Sequence, residues 1–255
     1  KKKICVFTGG RAEYGILKPL LSEIKNSKKL SLQILVSGMH LSNEFGLTYK
    51  IIEKDGFKCD EKVEMVMSSD TTEGVCKSIG LGIIGYGEAL KRLSPDWLVI
   101  LGDRYESLAL AVAATVSRVP IIHIQGGEIT VGAIDDHFRH SITKMSNIHF
   151  VYADEYRKRV IQLGENPSTV FNYGALNLDA IRKVKLLSQN NIFKELNLDK
   201  AKQVALVTFH PVTLDNNSSS KQFKELLRSL EKFNSLQLVF TKTNSDTDGR
   251  IINLL

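Results

Sequence analysis

Short apolar runs alternate along the chain with longer segments whose apolar residues recur every three or four positions. The short runs predict buried β-strands and the longer segments predict amphipathic helices. In the first part of the chain the predicted strands are Ile4–Thr8, Leu32–Ser37, Trp97–Leu101, Ile121–Gln125, Ile148–Tyr152 and Thr169–Asn172. The predicted helices are Glu13–Lys25, Glu73–Arg92, Ser107–Ser117, Asp135–Met145 and Asp154–Leu163. This alternation predicts an α/β fold with a parallel sheet covered by helices on both faces.

The pattern changes after Gly174, where we place the end of a first Rossmann-like domain covering residues 1–174. Leu176–Leu198 predicts a long helical connector. A second βαβ series follows, with strands at Gln203–Thr208 and Leu236–Thr241 on either side of a helix at Ser220–Phe233. Two strands and a helix are too little to bury a core. We therefore expect residues 175–255 to be the start of a second Rossmann-like domain that is incomplete.

Composition narrows the classes of partner. Lys and Arg number 34 against 28 Asp and Glu, a net charge of +6 that mildly favours anionic ligands. No dense basic patch or aromatic-basic motif accompanies it, so we expect no nucleic-acid partner. The apolar runs are far shorter than a membrane span, so we expect no membrane partner. The three cysteines are far apart and form no disulfide framework, which favours the reducing cytoplasm.

Candidate chemistry lies where predicted strands end, because ligands of open α/β sheets bind beyond the carboxyl ends of the strands. Gly9 and Gly10 follow the first strand and would let a phosphate approach the backbone, and Arg11 adds a guanidinium suited to a diphosphate. An ordinary strand-to-helix turn with a surface arginine fits these residues equally well. Asp103 and Arg104 follow a later hydrophobic strand. Asp103 is either a carboxylate on the ligand side or the N-cap of the next helix.

The densest group of polar residues begins at Glu128, which also follows a strand, and continues with Asp135 and Asp136 at the start of a helix. Carboxylates from different segments on one rim are what proton transfer on a sugar requires. Acidic residues at a helix N-terminus are also favoured by the helix dipole alone. Asp136 and His140 share a helix face, but no third ligand has fitting spacing, so we predict no metal site. His210 follows the first strand of the second series.

Six motifs carry a resemblance. In chain order they are Arg11-Ala12-Glu13-Tyr14, Gly38-Met39-His40-Leu41-Ser42, Gly102-Asp103-Arg104, Gly126-Gly127-Glu128, Asp135-Asp136-x-x-Arg139-His140-Ser141-Ile142-Thr143-Lys144 and His210-Pro211. Together they resemble the UDP-N-acetylglucosamine 2-epimerase family, and most closely its hydrolysing branch, which serves the synthesis of sialic- and legionaminic-type sugars. The resemblance implies a GT-B-like fold, in which two Rossmann-like domains hold the nucleotide sugar between them.

The resemblance also implies residue roles. The catalytic positions of the family correspond to Asp103, Glu128, Asp136 and His210. The positions that contact UDP correspond to Arg11, Arg104, His210 and Asn244. Which member of the Asp135-Asp136 pair acts stays open, and so does the division of the acid and base roles among the carboxylates.

The reaction that the resemblance implies is an elimination followed by a hydration. UDP leaves C1 while a base removes the C2 proton, and water then adds to the resulting 2-acetamidoglucal at C1 while a proton returns to C2 on the other face. No cofactor is needed. The implied substrate is UDP-GlcNAc or a UDP-2,4-diacetamido-6-deoxy sugar, and the implied assembly is a homodimer. A GT-B glycosyltransferase with a UDP-sugar donor is the alternative. Because family members continue well past residue 255, we expect this chain to be inactive on its own.

Overall fold

The computed structural model of the chain describes residues 1–67, 69, 71–210, 218–243 and 252–253. The chain divides into two compact units. The first consists of Lys1–Ser69 and Glu73–Lys183, and the second of Asp70–Thr72 and Val184–Leu255. The first unit thus extends beyond Gly174, the boundary expected from the sequence, because the helix Leu176–Lys183 packs back against the helix Arg11–Asn26.

The first unit is built on a seven-stranded sheet. Its strands are β1 (Lys2–Thr8), β2 (Leu30–Ser37), β3 (Glu61–Val63), β4 (Trp97–Leu101), β5 (Ile121–Ile124), β6 (Ile148–Val151) and β7 (Val170–Asn172). The helices between and after them are α1 (Arg11–Asn26), α2 (Tyr49–Lys54), α3 (Thr72–Leu93), α4 (Tyr105–Val116), α5 (Asp135–Met145), α6 (Asp154–Gln162) and α7 (Leu176–Lys183). The strand order is β3-β2-β1-β4-β5-β6-β7 and neighbouring strands are parallel. The predicted α/β class with a parallel sheet is confirmed.

The core lies in two layers, one on each face of the sheet. On one face α3, α4 and α5 bury residues such as Tyr86, Leu110 and Ile142 against the strands. On the other face α1 and α2 contribute residues such as Leu17 and Ile52. The alternating exposure of successive strand side chains to the two faces explains why the central strands read as continuous apolar runs.

The strand order reverses direction between β1 and β4. The chain moves outward from β1 to β2 and β3, then returns to the other side of β1 with β4 and continues outward to β7. In doubly wound sheets the crevice at the carboxyl ends of the strands beside such a reversal is the usual ligand site. The turns that follow β1, β4 and β5 are therefore the place to look for chemistry.

Two short elements were not anticipated from the sequence. They are α2 and β3, which contain six and three residues and carry too few apolar positions to show a period. A 3₁₀ turn at Gly38–Leu41 was also missed. The predicted single connector helix Leu176–Leu198 is wrong, because the chain forms α7 and then a separate helix, α8 (Gln189–Glu195). The Ser188 hydroxyl accepts a hydrogen bond from the Asn191 amide and so starts the second helix afresh.

The second unit contains a parallel pair of strands, β8 (Gln203–Val207) and β9 (Leu236–Phe240), joined through α9 (Ser219–Leu230). The Phe223 ring of α9 is buried, with its centroid 5.2 Å from the Phe209 ring and 6.1 Å from the Phe240 ring. The predicted βαβ series is therefore present. None of the helices in the described part of the chain is both long and apolar enough to span a membrane.

Candidate active site

Three of the residues expected to be catalytic lie at one edge of the first unit. Asp103 follows β4, Glu128 follows β5, and Asp136 lies in the first turn of α5. Because β4 and β5 are neighbours and parallel, their carboxyl ends meet at the same edge. The loop after β5 then leads directly into α5, which places a third carboxylate at that edge.

The Arg139 side chain links these segments. It lies on α5, is only 3% exposed, and its Nη2 atom donates hydrogen bonds to a carboxylate oxygen of Asp103 and to Thr130 Oγ1, the latter at 3.0 Å. Its Nη1 atom donates to Asp136 Oδ1 at 2.6 Å and to the Glu128 carbonyl at 2.9 Å. One buried guanidinium is therefore shared by two carboxylates and also fixes the backbone of the third residue through charge-assisted hydrogen bonds.

The structure excludes one of the two alternatives for Asp103 and shows where Asp136 lies. The N-cap position of α4 is Arg104, and no side-chain cap is formed there, so Asp103 is not the N-cap of that helix. Asp136 does lie in the first turn of α5, where the helix dipole favours it. Its carboxylate also accepts a hydrogen bond from the Thr130 amide at 2.7 Å, which ties the preceding loop to the helix.

The turn that carries Glu128 is held by neutral contacts beneath it. His123 is fully buried, and burial lowers its pKa to about 4, so its ring is neutral. Its Nε2–H donates to the Gly102 carbonyl at 2.8 Å and its Nδ1 accepts from the Thr143 hydroxyl at 3.1 Å, which joins the ends of β4 and β5 to α5. Gly127 has a φ of +84°, and a Cβ there would lie 2.5 Å from the Tyr156 carbonyl oxygen. A glycine is therefore required at that position.

The glycine turn after β1 is closed by a carboxylate of the chain itself. The Gly9 amide donates to Glu13 Oε2 at 2.6 Å, in the manner of a capping interaction at the start of α1. Burial, together with Glu106 and Asp103, raises the pKa of Glu13 to about 7, against the opposing effect of Arg104. The amide that would be offered to a phosphate by this turn is thus engaged by Glu13. Arg11, the first residue of α1, is exposed.

A buried carboxylate fixes the orientation of the Arg104 side chain. Its guanidinium donates two hydrogen bonds to Glu106, at 3.1 and 3.2 Å, and Glu106 is fully buried. The Glu106 carboxylate lies below the first residues of the 3₁₀ turn, because a Cβ on Gly38 would be 3.0 Å from its Oε1 atom. The arginine expected to contact UDP is therefore fixed against the sheet edge between β1 and β4.

The remaining site residues predicted from the sequence belong to the second unit. His210 is exposed and follows β8. Asn244 lies outside the described residues, so its placement stays a prediction. The roles of Arg11, Arg104 and His210 in binding UDP also stay predictions. Within the described part of the chain, no three His, Cys, Asp or Glu side chains lie together in a way that could hold a metal ion.

Two residues of this site were not among those predicted from the sequence. Arg139 stands three positions after Asp136 in the same motif, and that spacing places the two side chains on one helix face. Tyr152 follows β6 at the same sheet edge, and its phenol donates a hydrogen bond to Glu128 Oε1. The contact of Arg139 with Asp136 could have been found from helical spacing, and Tyr152 from its place at a strand end, whereas the contact of Arg139 with Asp103 could not.

The fold and this site define a doubly wound α/β protein with a group of carboxylates at the carboxyl edge of its sheet. The sequence profile of the family described as UDP-N-acetylglucosamine 2-epimerase matches residues 22–255. The chain belongs to the UDP-N-acetylglucosamine 2-epimerase family.

Individual curated relatives show which named proteins of the family the chain resembles. The chain is 44% identical over 99% of its length to the GDP/UDP-N,N'-diacetylbacillosamine 2-epimerase (hydrolyzing) of Campylobacter jejuni, and covers 66% of that protein. It is 38% identical to the polysialic acid biosynthesis protein P7 of Escherichia coli and covers 64% of it. It is 34% identical to the UDP-N,N'-diacetylbacillosamine 2-epimerase (hydrolyzing) of Legionella pneumophila and covers 66% of it. The chain thus spans just under two thirds of the length of these relatives.

Solved structures share the fold. The UDP-GlcNAc 2-epimerase of Neisseria meningitidis, determined with UDP-GlcNAc, superposes with a TM-score of 0.78 at 17% identity, over 100% of this chain and 70% of that one. The UDP-GlcNAc 2-epimerase of Methanocaldococcus jannaschii, determined with UDP-GlcNAc and UDP, gives a TM-score of 0.80 at 17% identity, over 99% of this chain and 69% of that one. The predicted GT-B-like α/β fold is confirmed.

Proposed function

We propose that the protein is a hydrolysing nucleotide-sugar 2-epimerase that converts a UDP-linked 2-acetamido sugar into UDP and the free 2-epimer. The observation that carries this proposal is the gathering of Asp103, Glu128 and Asp136 around Arg139 at the ligand edge of the sheet. A sugar C2–H is only weakly acidic. Its removal therefore requires a positioned base, together with departure of the diphosphate from C1.

The proposed reaction proceeds in two balanced stages. In the first, the C1–O bond to UDP breaks and a carboxylate accepts the C2 proton, which leaves a 2-acetamidoglucal. In the second, water adds to C1 through its oxygen and gives up one proton to an ionised carboxylate, while a protonated group delivers a proton to the opposite face of C2. Two carboxylates on different segments can serve the two faces. Arg11, Arg104 and His210 are proposed to stabilise the departing diphosphate.

Among substrates, we favour a UDP-linked 2,4-diacetamido-6-deoxy sugar over UDP-GlcNAc. The support is the naming of the Campylobacter and Legionella relatives as N,N'-diacetylbacillosamine 2-epimerases, at 44% and 34% identity. We also propose that the protein works as a homodimer in the cytoplasm, without an added cofactor. Size-exclusion chromatography with light scattering tests the dimer.

The test of the reaction uses the full-length protein rather than residues 1–255 alone, with each nucleotide sugar by itself and in heavy water. We expect UDP release without any acceptor and a free sugar that carries deuterium at C2. Product that keeps its original C2 hydrogen would contradict the elimination route. UDP release only after addition of an acceptor would favour a glycosyltransferase instead.

Variants connect this reaction to the site. Asp103→Asn and Glu128→Gln should each lower turnover by about 10²–10⁴-fold, the usual contribution of one acid or base. Glu88→Gln is the matched control, since Glu88 lies on α3 with an exposed side chain. A variant of Asp103 or Glu128 with the turnover of the control would remove that residue from the mechanism.

A further inference from the structure

The Tyr152 phenol lies directly against the Glu128 carboxylate. Tyr152 is the first residue after β6, which pairs in parallel with β5, so both residues leave the sheet at the same edge. Its hydroxyl donates to Glu128 Oε1. The Tyr152 ring packs edge-on against the Tyr156 ring of α6, with centroids 4.9 Å apart and planes at 83°. Ring packing therefore fixes the direction from which the hydroxyl reaches the carboxylate.

The backbone around Glu128 is held by other residues. Arg139 of α5 donates to the Glu128 carbonyl at 2.9 Å, and Arg159 of α6 donates to the Gly127 carbonyl. The turn is thus fixed at two successive peptide groups without the phenol. The contact from Tyr152 acts on the Glu128 side chain alone.

The phenol remains a donor throughout the working pH range. Burial raises the pKa of Tyr152, and the hydrogen bond to Glu128 and the charge of Glu128 raise it further. A donor of this kind stabilises a carboxylate in its charged form and limits its rotation. The other charged groups facing this turn are Arg139 and Asp136 from α5 and Arg159 from α6, and none of them replaces the phenol at Oε1 in the contacts that the structure describes.

We propose that Tyr152 is a positioning residue. Its hydroxyl binds Glu128 Oε1 and so holds the carboxylate in one orientation, with the other carboxylate oxygen directed to the sugar. This inference rests on the proposed function, because it assigns Glu128 the role of the group that must start the reaction deprotonated. It predicts that loss of one hydroxyl oxygen impairs the chemical step more than substrate binding.

The main test is Tyr152→Phe, which keeps the ring that packs on Tyr156. We expect kcat to fall by about 10- to 100-fold, the size expected for one hydrogen bond to a charged group, with KM changed by no more than about twofold. Tyr173→Phe is the matched control, because Tyr173 is 78% exposed and follows β7.

A measurement without substrate separates this inference from the proposed function. In protein labelled with ¹³C at glutamate side-chain carboxyls, the Glu128 resonance is assigned through Glu128→Gln. We expect Tyr152→Phe to shift this resonance at a fixed pH, because the carboxylate loses a hydrogen-bond donor, and Tyr173→Phe to leave it in place. The reciprocal measurement follows the Tyr152 ¹³Cζ resonance, which Glu128→Gln should shift while the Tyr173 resonance stays in place.

A Glu128 carboxyl resonance at the same position in wild type and Tyr152→Phe, or an unmoved Tyr152 resonance in Glu128→Gln, would overturn the inference. So would a Tyr152→Phe enzyme whose kcat and KM both match those of Tyr173→Phe. Full-length wild-type protein without turnover on either nucleotide sugar would contradict the proposed function only, and the two resonance measurements would still decide whether Tyr152 controls Glu128.

Discussion

Replacing Arg139 by methionine removes the cation of the candidate site while keeping a side chain of similar length. Asp103 and Asp136 then face each other without the charge that now lies between them, and Thr130 loses one partner. Because the Arg139 side chain is only 3% exposed, bulk water cannot take its place without opening the site. We therefore expect Arg139→Met to destabilise the first unit as well as to abolish turnover.

The size of the stability loss in Arg139→Met follows from the burial of Arg139, Asp103 and Asp136. Breaking a fully buried ion pair costs about 3–5 kcal/mol, and an exposed pair costs about 0–1 kcal/mol. The two carboxylates are 24% and 23% exposed, so part of their charge is already screened by water. We expect a loss of about 2–3 kcal/mol in the free energy of unfolding, which for a unit of this size lowers the melting temperature by roughly 4–12 °C.

Urea unfolding read by hydrogen exchange at the amides of α5 and β5 reports on the first unit alone. The matched control is Arg92→Met, which removes an arginine bound to Glu61 through two contacts but 55% exposed, and we expect a much smaller loss there. Adding Asp103→Asn and Asp136→Asn to Arg139→Met should recover part of the lost stability. Equal losses for the two arginine variants, or no recovery in the triple variant, would refute the argument.

Three further outcomes concern stability. Gly38→Ala should lower the free energy of unfolding in urea by about 1–3 kcal/mol, because Gly38 has a φ of +61° and a Cβ there would lie 2.6 Å from the Gly9 carbonyl oxygen. The control Gly87→Ala lies in open space on α3 and should raise the free energy of unfolding by about 0.5–1 kcal/mol. His123 binds a proton near pH 6.5 when unfolded but only near pH 4 when native, so the free energy of unfolding should fall as pH falls through that window, and less steeply in His123→Gln. Glu13 has the opposite sign, since its native pKa of about 7 exceeds the ordinary 4.5; its contribution should be lost as pH rises from 4.5 to 7, and Glu13→Gln should remove that loss.

The fold could be predicted from the sequence where elements are long and buried. The central strands are apolar on both faces and the helices between them show a clear period, so the parallel α/β class followed directly. The connector after Gly174 was wrongly predicted as one helix because apolar residues such as Leu186 and Leu187 continue its helical pattern. In the structure these two side chains are exposed and Ser188 starts a new helix. The N-cap at Ser188 therefore determined the helix boundaries here, and the apolar period of the sequence did not.

The site could be predicted as a set of strand ends but not as a network. Asp103 and Glu128 were found because each follows a buried strand, and the adjacency of β4 and β5 brings them to one edge. That Arg139 would join them was not predictable from spacing alone, because its reach to Asp103 depends on how α5 packs against α4. The engagement of Gly9 by Glu13 likewise depends on side-chain burial that no local pattern displays.

The donors around the three carboxylates differ in a way that bears on their proposed roles. Asp103 and Asp136 share one cation, so a proton gained by either would weaken its hold on Arg139 and disturb the other. Glu128 accepts from a neutral phenol, so a change in its charge breaks no ion pair in the contacts that the structure describes. A reaction that moves protons to and from C2 needs one group whose charge can change while its surroundings keep their geometry. On the proposed function, Glu128 meets that requirement best, and the Arg139 network serves as the fixed charge against which it works.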